Sequence, residues 1–130
     1  MASLENNHAI KILADSTNRI SEGEVLQLIL RGQANFSEKD YFEIIGRKTA
    51  ELFKASSLSA AIIAETSKEL RQSSSKFAYS LGIAFQIKDD LFDYTHNPII
   101  GKPTGIDIRE QKMTLPLIYT LSISDSVQKK

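Results

Sequence analysis

The chain has 130 residues, 42% of them hydrophobic and 25% charged, and its 16 basic and 16 acidic side chains cancel. That length and composition suit one core-forming domain. The balance of charge leaves no global field to draw in nucleic acid or anionic lipid, so phosphate chemistry has to come from local clusters. The absence of cysteine excludes disulfides, thiolate nucleophiles and cysteine-bound zinc. The apolar runs fall far short of the ~20 residues of a membrane span. The polar N-terminus lacks a signal-peptide core, and the expected location is cytoplasmic.

Taken in chain order, the pattern is helical almost throughout. Ile10, Leu13, Ala14, Thr17, Ile20, Val25 and Leu28 recur at near-helical spacing and predict a helix over 7–31. Gly23 lies inside it, where glycine costs about 1 kcal/mol against alanine, so a kink or a close helix contact is expected there. The stretch 32–36 breaks the pattern. Ser37 with Asp40 reads as a capped helix start, and a second helix is predicted over about 38–66, with Ile45, Thr49, Leu52 and Phe53 on one face. A third runs over about 67–94. His96-Asn97-Pro98 and Gly101-Lys102-Pro103-Thr104-Gly105 are loop chemistry. A last helix starts near Thr114, with Pro116 in its first turn, where no amide hydrogen is missed. No strand is predicted. The fold class is all-α, in one unit.

The segment Leu81–Asp93 carries the clearest chemistry. On a helix at about 100° per residue, Gln86, Asp89, Asp90 and Asp93 share an arc of roughly 100°, with Gly82 at the same azimuth. Ile83, Ile87 and Leu91 flank the arc on one side, and Leu81, Phe85 and Phe92 on the other. This predicts a largely buried helix whose acids face inward. Acids at i, i+1 and i+4 repel one another even in water, and burial makes the repulsion worse. A cation should compensate. Oxygen ligands without histidine or cysteine suit Mg²⁺, which is commonly held by one or two carboxylates, waters and substrate phosphates. A solvated acidic patch is the bland alternative.

Basic groups stand where they could meet the anion. Lys48-Thr49 lies in the second helix beside Ile45 and Leu52, Lys102 in the loop after the aspartate helix, and Lys112 just before the last helix. Metal on one side of a diphosphate and ammonium groups on the other would stabilise it as a leaving group. His8 and His96 lack metal-ligand spacing. Tyr41, Tyr79, Tyr94 and Tyr119 read as core or rim residues.

Phe85-Gln86-Ile87-Lys88-Asp89-Asp90-Leu91-Phe92-Asp93 resembles the second aspartate-rich motif of trans-isoprenyl (polyprenyl) diphosphate synthases. Gly23-Glu24 with Gln27, Lys48-Thr49-Ala50, Gly101–Asp107 and Lys112–Pro116 match in order, over about residues 10–121. The resemblance implies an all-α prenyltransferase fold around a deep cavity. It implies condensation of an allylic diphosphate with isopentenyl diphosphate, and a homodimer in full-length members. It implies Asp89, Asp90 and Asp93 as magnesium-binding residues, with Asp89 and Asp93 the foremost. Lys48, Lys102 and Gln86 would hold the allylic substrate, Thr49 would stand near the reacting carbon, and Lys112 would be a further phosphate contact.

The chain departs from the family pattern in several places. The first aspartate-rich motif, the isopentenyl diphosphate site and the family's C-terminal helices are missing. Residues 1–130 are thus expected to be the C-terminal part of a polyprenyl synthetase domain, truncated at both ends and inactive alone. Gln111 stands where glycine often precedes the lysine, and Ala78 where glycine is common. A terpene-cyclase-like fragment, a regulatory subunit pairing with an active synthase and a plain helical interaction module are the competing readings. Three aspartates in the motif favour the chain-elongating synthase over the cyclase.

Overall fold

The computed structural model describes residues 7–33, 35–95 and 104–124. Within them the chain forms α1 (Asn7–Leu30), α2 (Glu38–Ile45), a π-helical turn (Gly46–Ala50), α3 (Glu51–Ile63), α4 (Lys68–Asp93), the short α5 (Ile106–Arg109) and α6 (Leu115–Ile123). Among the described residues there is no strand, as the sequence predicts.

The column made by α2, the π turn and α3 lies between α1 and α4. Gly23 meets Lys48 and Arg19 meets Glu51, so α1 runs antiparallel to the column. Tyr41 meets Asp90, Thr49 meets Gln86 and Ala50 meets Gly82, so α4 is antiparallel to it as well. The buried apolar residues are Tyr41, Ile44, Ile45, Ala50, Ala55 and Ile62 on the column, Ala9 on α1 and Ala78 on α4. Half of these are alanine, and at Gly23 and Gly82 the helix backbones approach closely.

Start signals behave as read. The Ser37 side chain accepts from the Asp40 amide and Asp40 answers the Ser37 amide, a complete capping box. The structure adds a second cap: Ser67 accepts from the Leu70 amide at the start of α4. Pro116 sits in the first turn of α6.

Three readings change. First, the second helix is not continuous over 38–66. It widens into the π turn at 46–50 and ends at Ile63. Such turns have no composition signal, and they recur at functional sites. This one carries Lys48 and Thr49. Second, α1 buries Ala9, Ser16 and Gly23, spaced by seven, while Val25, Leu28 and Ile29 are exposed. A side chain at Gly23 would put its Cβ 2.8 Å from the Lys48 backbone nitrogen. The smallest residues therefore form the contact, and α1 continues through Gly23 as helix. Third, the flanks of α4 are not buried as predicted. Leu81, Phe85 and Leu91 are exposed, and the buried residues of α4 are Ala78, Gly82, Asp90 and Asp93. A Cβ at Gly82 would lie 2.7 Å from Ala50 Cα. The polar stripe is the packed face because its small members admit the neighbouring helix.

Candidate diphosphate and metal site

The site forms where the C-terminal half of α4, the α2–π column and the segment before α6 converge. Asp90 is 6% exposed and Asp93 9%, while Asp89 is half-buried. The stripe therefore faces inward, as its spacing requires.

Asp90 is gripped at both oxygens. The Tyr41 hydroxyl donates to Oδ2 at 2.6 Å, and Gln86 Nε2 donates to Oδ1 at 2.8 Å. Gln86 Oε1 in turn accepts from Thr49 Oγ1 at 2.7 Å. Burial pushes the Asp90 carboxyl above the ordinary carboxylate value. The two donors pull it back, and the charges of Asp107 and Asp89 push it up further. Burial, then Asp90, drive the Tyr41 phenol well above its ordinary value, which keeps it a protonated donor.

Asp93 has a different setting. Its Oδ1 and Oδ2 accept from the amides of Ile106 (3.1 Å) and Asp107 (3.0 Å), and its carbonyl accepts from the Gly105 amide at 2.9 Å. It thereby satisfies amides at the start of α5 that have no helical partner. It also folds the chain from Thr104 onward back across the end of α4, which brings in Asp107 and Lys112.

Lys48 Nζ donates to Gln27 Oε1 and pairs with Glu24 Oε1, each at 3.0 Å. Lys112 Nζ pairs with Glu110 at 2.6 Å and Asp107 at 3.2 Å. The bond to Glu110 is the main cause of the raised Lys112 ammonium value. A cavity of about 180 Å³ is walled by Arg31, Lys48, Gln86, Asp89, Asp90, Asp107 and Lys112, among others. Pockets for drug-sized ligands run from about 300 Å³ upward, so this one suits a polar headgroup and not a whole prenyl chain.

Of the residues expected at the site, the structure brings together Lys48, Gln86, Asp89, Asp90 and Lys112. Thr49 joins through Gln86. Lys102, with Gly101, Pro103 and His96, lies outside the described residues. Asp93 is one turn further along and faces α5. Among the described residues no group of three or more aspartate, glutamate, histidine or cysteine side chains could hold a metal ion. The donor set nevertheless fits Mg²⁺, which needs only one or two carboxylates when waters and phosphate complete its shell. Asp89, Asp90 and Asp107 line the same cavity, and a cation there would offset their mutual repulsion.

Sequence reasoning did not single out Arg31, Tyr41 or Asp107. Tyr41 stands seven residues before Lys48, on the same helix face, which was a usable signal. Asp107 lay inside a quoted motif block without a role.

Carboxylates and ammonium groups thus line one headgroup-sized cavity in an all-α chain. A polyprenyl synthetase family model matches residues 1–130. The octaprenyl diphosphate synthase of Haemophilus influenzae is 37% identical over 98% of this chain and 39% of its own length. The crystal structure of a Caulobacter crescentus polyprenyl synthase, complexed with calcium and isoprenyl diphosphate, is similar at a TM-score of 0.93 and 39% identity, over 98% of this chain and 39% of that one. A decaprenyl diphosphate synthase from Rhodobacter capsulatus is similar at a TM-score of 0.91 and 38% identity, over 99% of this chain and 40% of that one. The chain belongs to the polyprenyl synthetase family. It spans about two fifths of the length of these relatives. Among the described residues no helix is long and apolar enough to cross a membrane.

Proposed function

We propose that this chain supplies the allylic-diphosphate and magnesium half of a prenyl-transfer site, in an enzyme that lengthens a polyprenyl diphosphate with isopentenyl diphosphate. One observation carries the reading: Lys48 and Lys112 face the same cavity as Asp89 and Asp90. Each lysine is paired with carboxylates at the cavity edge, so an entering diphosphate would draw the ammonium groups onto its oxygens while a cation offset the carboxylates.

In this reading Asp89 and Asp90 hold the metal, and Lys48 and Lys112 hold diphosphate oxygens. Lys48 would exchange its contacts with Gln27 and Glu24 for those oxygens. Magnesium, when bound, would offset charge on the diphosphate as its bond to the allylic carbon breaks. The Thr49 hydroxyl donates its hydrogen bond to Gln86 Oε1, so its oxygen lone pairs are what remains to face a developing cation. The new bond joins that allylic carbon to the terminal carbon of isopentenyl diphosphate, and one proton leaves. The cytoplasmic location and the pairing of two copies belong to the same proposal.

Calorimetric titration of the purified chain with inorganic pyrophosphate tests the site, with and without Mg²⁺. Binding that requires both is expected. Binding of neither, or of each independently, would remove the basis of the reading. With both prenyl substrates and Mg²⁺, the chain alone is expected to show no condensation.

A further inference from the structure

We infer that Tyr41 is the positioning residue that pins the Asp90 carboxylate and so makes the site favour Mg²⁺ over a larger divalent cation. This rests on the proposed magnesium role of Asp90.

Tyr41 is 3% exposed and belongs to α2, 49 residues from Asp90 in sequence. Its ring is set edge-on to Phe42, 5.4 Å between centroids, with Ile44 and Ile45 buried beside it on the same helix. The hydroxyl reaches Asp90 Oδ2 at 2.6 Å while Gln86 Nε2 holds Oδ1 at 2.8 Å. Turning the carboxylate about its own axis would break both bonds. Each oxygen, with two acceptor directions, keeps one for a metal, and the plane in which they lie is fixed by α2 on one side and α4 on the other.

A fixed plane discriminates between ions. Mg²⁺ demands near-octahedral geometry at short distance, whereas Ca²⁺ is larger and takes carboxylates in one- or two-oxygen fashion with variable geometry. A carboxylate that cannot swing satisfies the first ion and restricts the second. Groups that hold a ligand from behind typically change metal affinity by about 10–100-fold when removed. Without the hydroxyl of Tyr41 that loss should fall on the demanding ion.

The test is titration of the whole chain with Mg²⁺ or Ca²⁺ in the presence of inorganic pyrophosphate. In Tyr41→Phe the Mg²⁺ affinity should fall about tenfold or more and the Ca²⁺ affinity by less than about threefold. Tyr94→Phe, which removes the hydroxyl bonded to Thr114 from the end of the aspartate helix, serves as a control and should leave the ratio unchanged. An unchanged ratio in Tyr41→Phe, or equal losses for the two ions, would overturn the inference, since a merely structural tyrosine affects both alike. So would a ratio that moves as much in Tyr94→Phe. Should Tyr41→Phe fail to fold by circular dichroism, Asp90→Glu keeps the charge but displaces the carboxylate. It should show the same collapse of preference, and a preserved ratio there would sink the idea. If the unmodified chain shows no metal-dependent pyrophosphate binding, the proposed function fails and this inference with it, an outcome distinct from the others.

Discussion

Thr49 and Gln86, 37 residues apart, are joined by a 2.7 Å hydrogen bond from the π turn to α4. The bond of Gln86 to Asp90 settles which way the amide points. A carboxylate only accepts, so Nε2 must face Asp90 and Oε1 must face Thr49. One side chain thus ties the turn that carries Lys48 to the carboxylate of Asp90.

Replacing that link should therefore be costly. In Gln86→Leu the Thr49 hydroxyl loses its acceptor and Asp90 one of its two donors, each in a half-buried or buried setting. Losing partners in this way costs about 1–3 kcal/mol. Urea unfolding at neutral pH measures it, and a loss below about 0.5 kcal/mol would mean water replaces the amide at little cost.

Asp90 gives the metal-free chain a pH dependence of predictable sign. Its folded carboxyl titrates above the ordinary 3.8, chiefly because it is buried. The folded state then holds the proton more tightly than the unfolded state. Stability falls as pH rises from about the ordinary value through the raised one, and the penalty persists above it. Asp90→Asn removes that titration. Its unfolding midpoint should match the parent at low pH and exceed it at pH 7, on the order of 1 kcal/mol for relief of a functional site. Denaturant curves at several pH values decide the matter. A variant less stable than the parent at neutral pH would show that the charge of Asp90 is already compensated without metal.

Gly23→Ala separates helix propensity from packing. Propensity alone predicts stabilisation by about 1 kcal/mol. The new Cβ, however, would lie 2.8 Å from the Lys48 nitrogen and 3.0 Å from Arg47 Cβ. Neither is the end of a flexible side chain, so α1 has to move off the π turn. Overpacking of this kind costs about 1–3 kcal/mol. Thermal unfolding should show net destabilisation, and pyrophosphate binding should weaken because Lys48 rides on the displaced turn.

For Asp93 the prediction concerns order in the segment it caps. Asp93→Ala removes the acceptors for the amides of Ile106 and Asp107, a loss of about 1 kcal/mol on the scale of helix caps. Hydrogen exchange at those two amides should accelerate while amides in the middle of α4 keep their protection. Unchanged exchange at Ile106 and Asp107 would contradict the capping role.

Gln111 shows how a sequence departure becomes legible only in the fold. It stands where glycine often precedes the lysine in the family, and its φ is +56°. That left-handed conformation costs a side-chain-bearing residue about 1–2 kcal/mol, which is the physical reason glycine suits the position. The sequence shows the substitution and the backbone shows what it costs.

The sequence by itself determined the all-α class, the capped start at Ser37, and the inward-facing stripe of Gln86, Asp89 and Asp90. These follow from local chemistry and from the 3.6-residue period, which one strand of text contains in full. Only the tertiary structure decided that the second helix opens into a π turn, that α1 packs through Ala9 and Ser16 beside the expected close contact at Gly23 and not through its larger apolar residues, and that Asp93 serves α5 while Asp90 serves the cavity. Each of those outcomes depends on what the neighbouring helix presents across the contact. Asp107 reaches the site from beyond the end of α4, and periodicity within that helix contains no term for it; Tyr41 shares a helix face with Lys48, but its bond to Asp90, 49 residues on, is a tertiary contact.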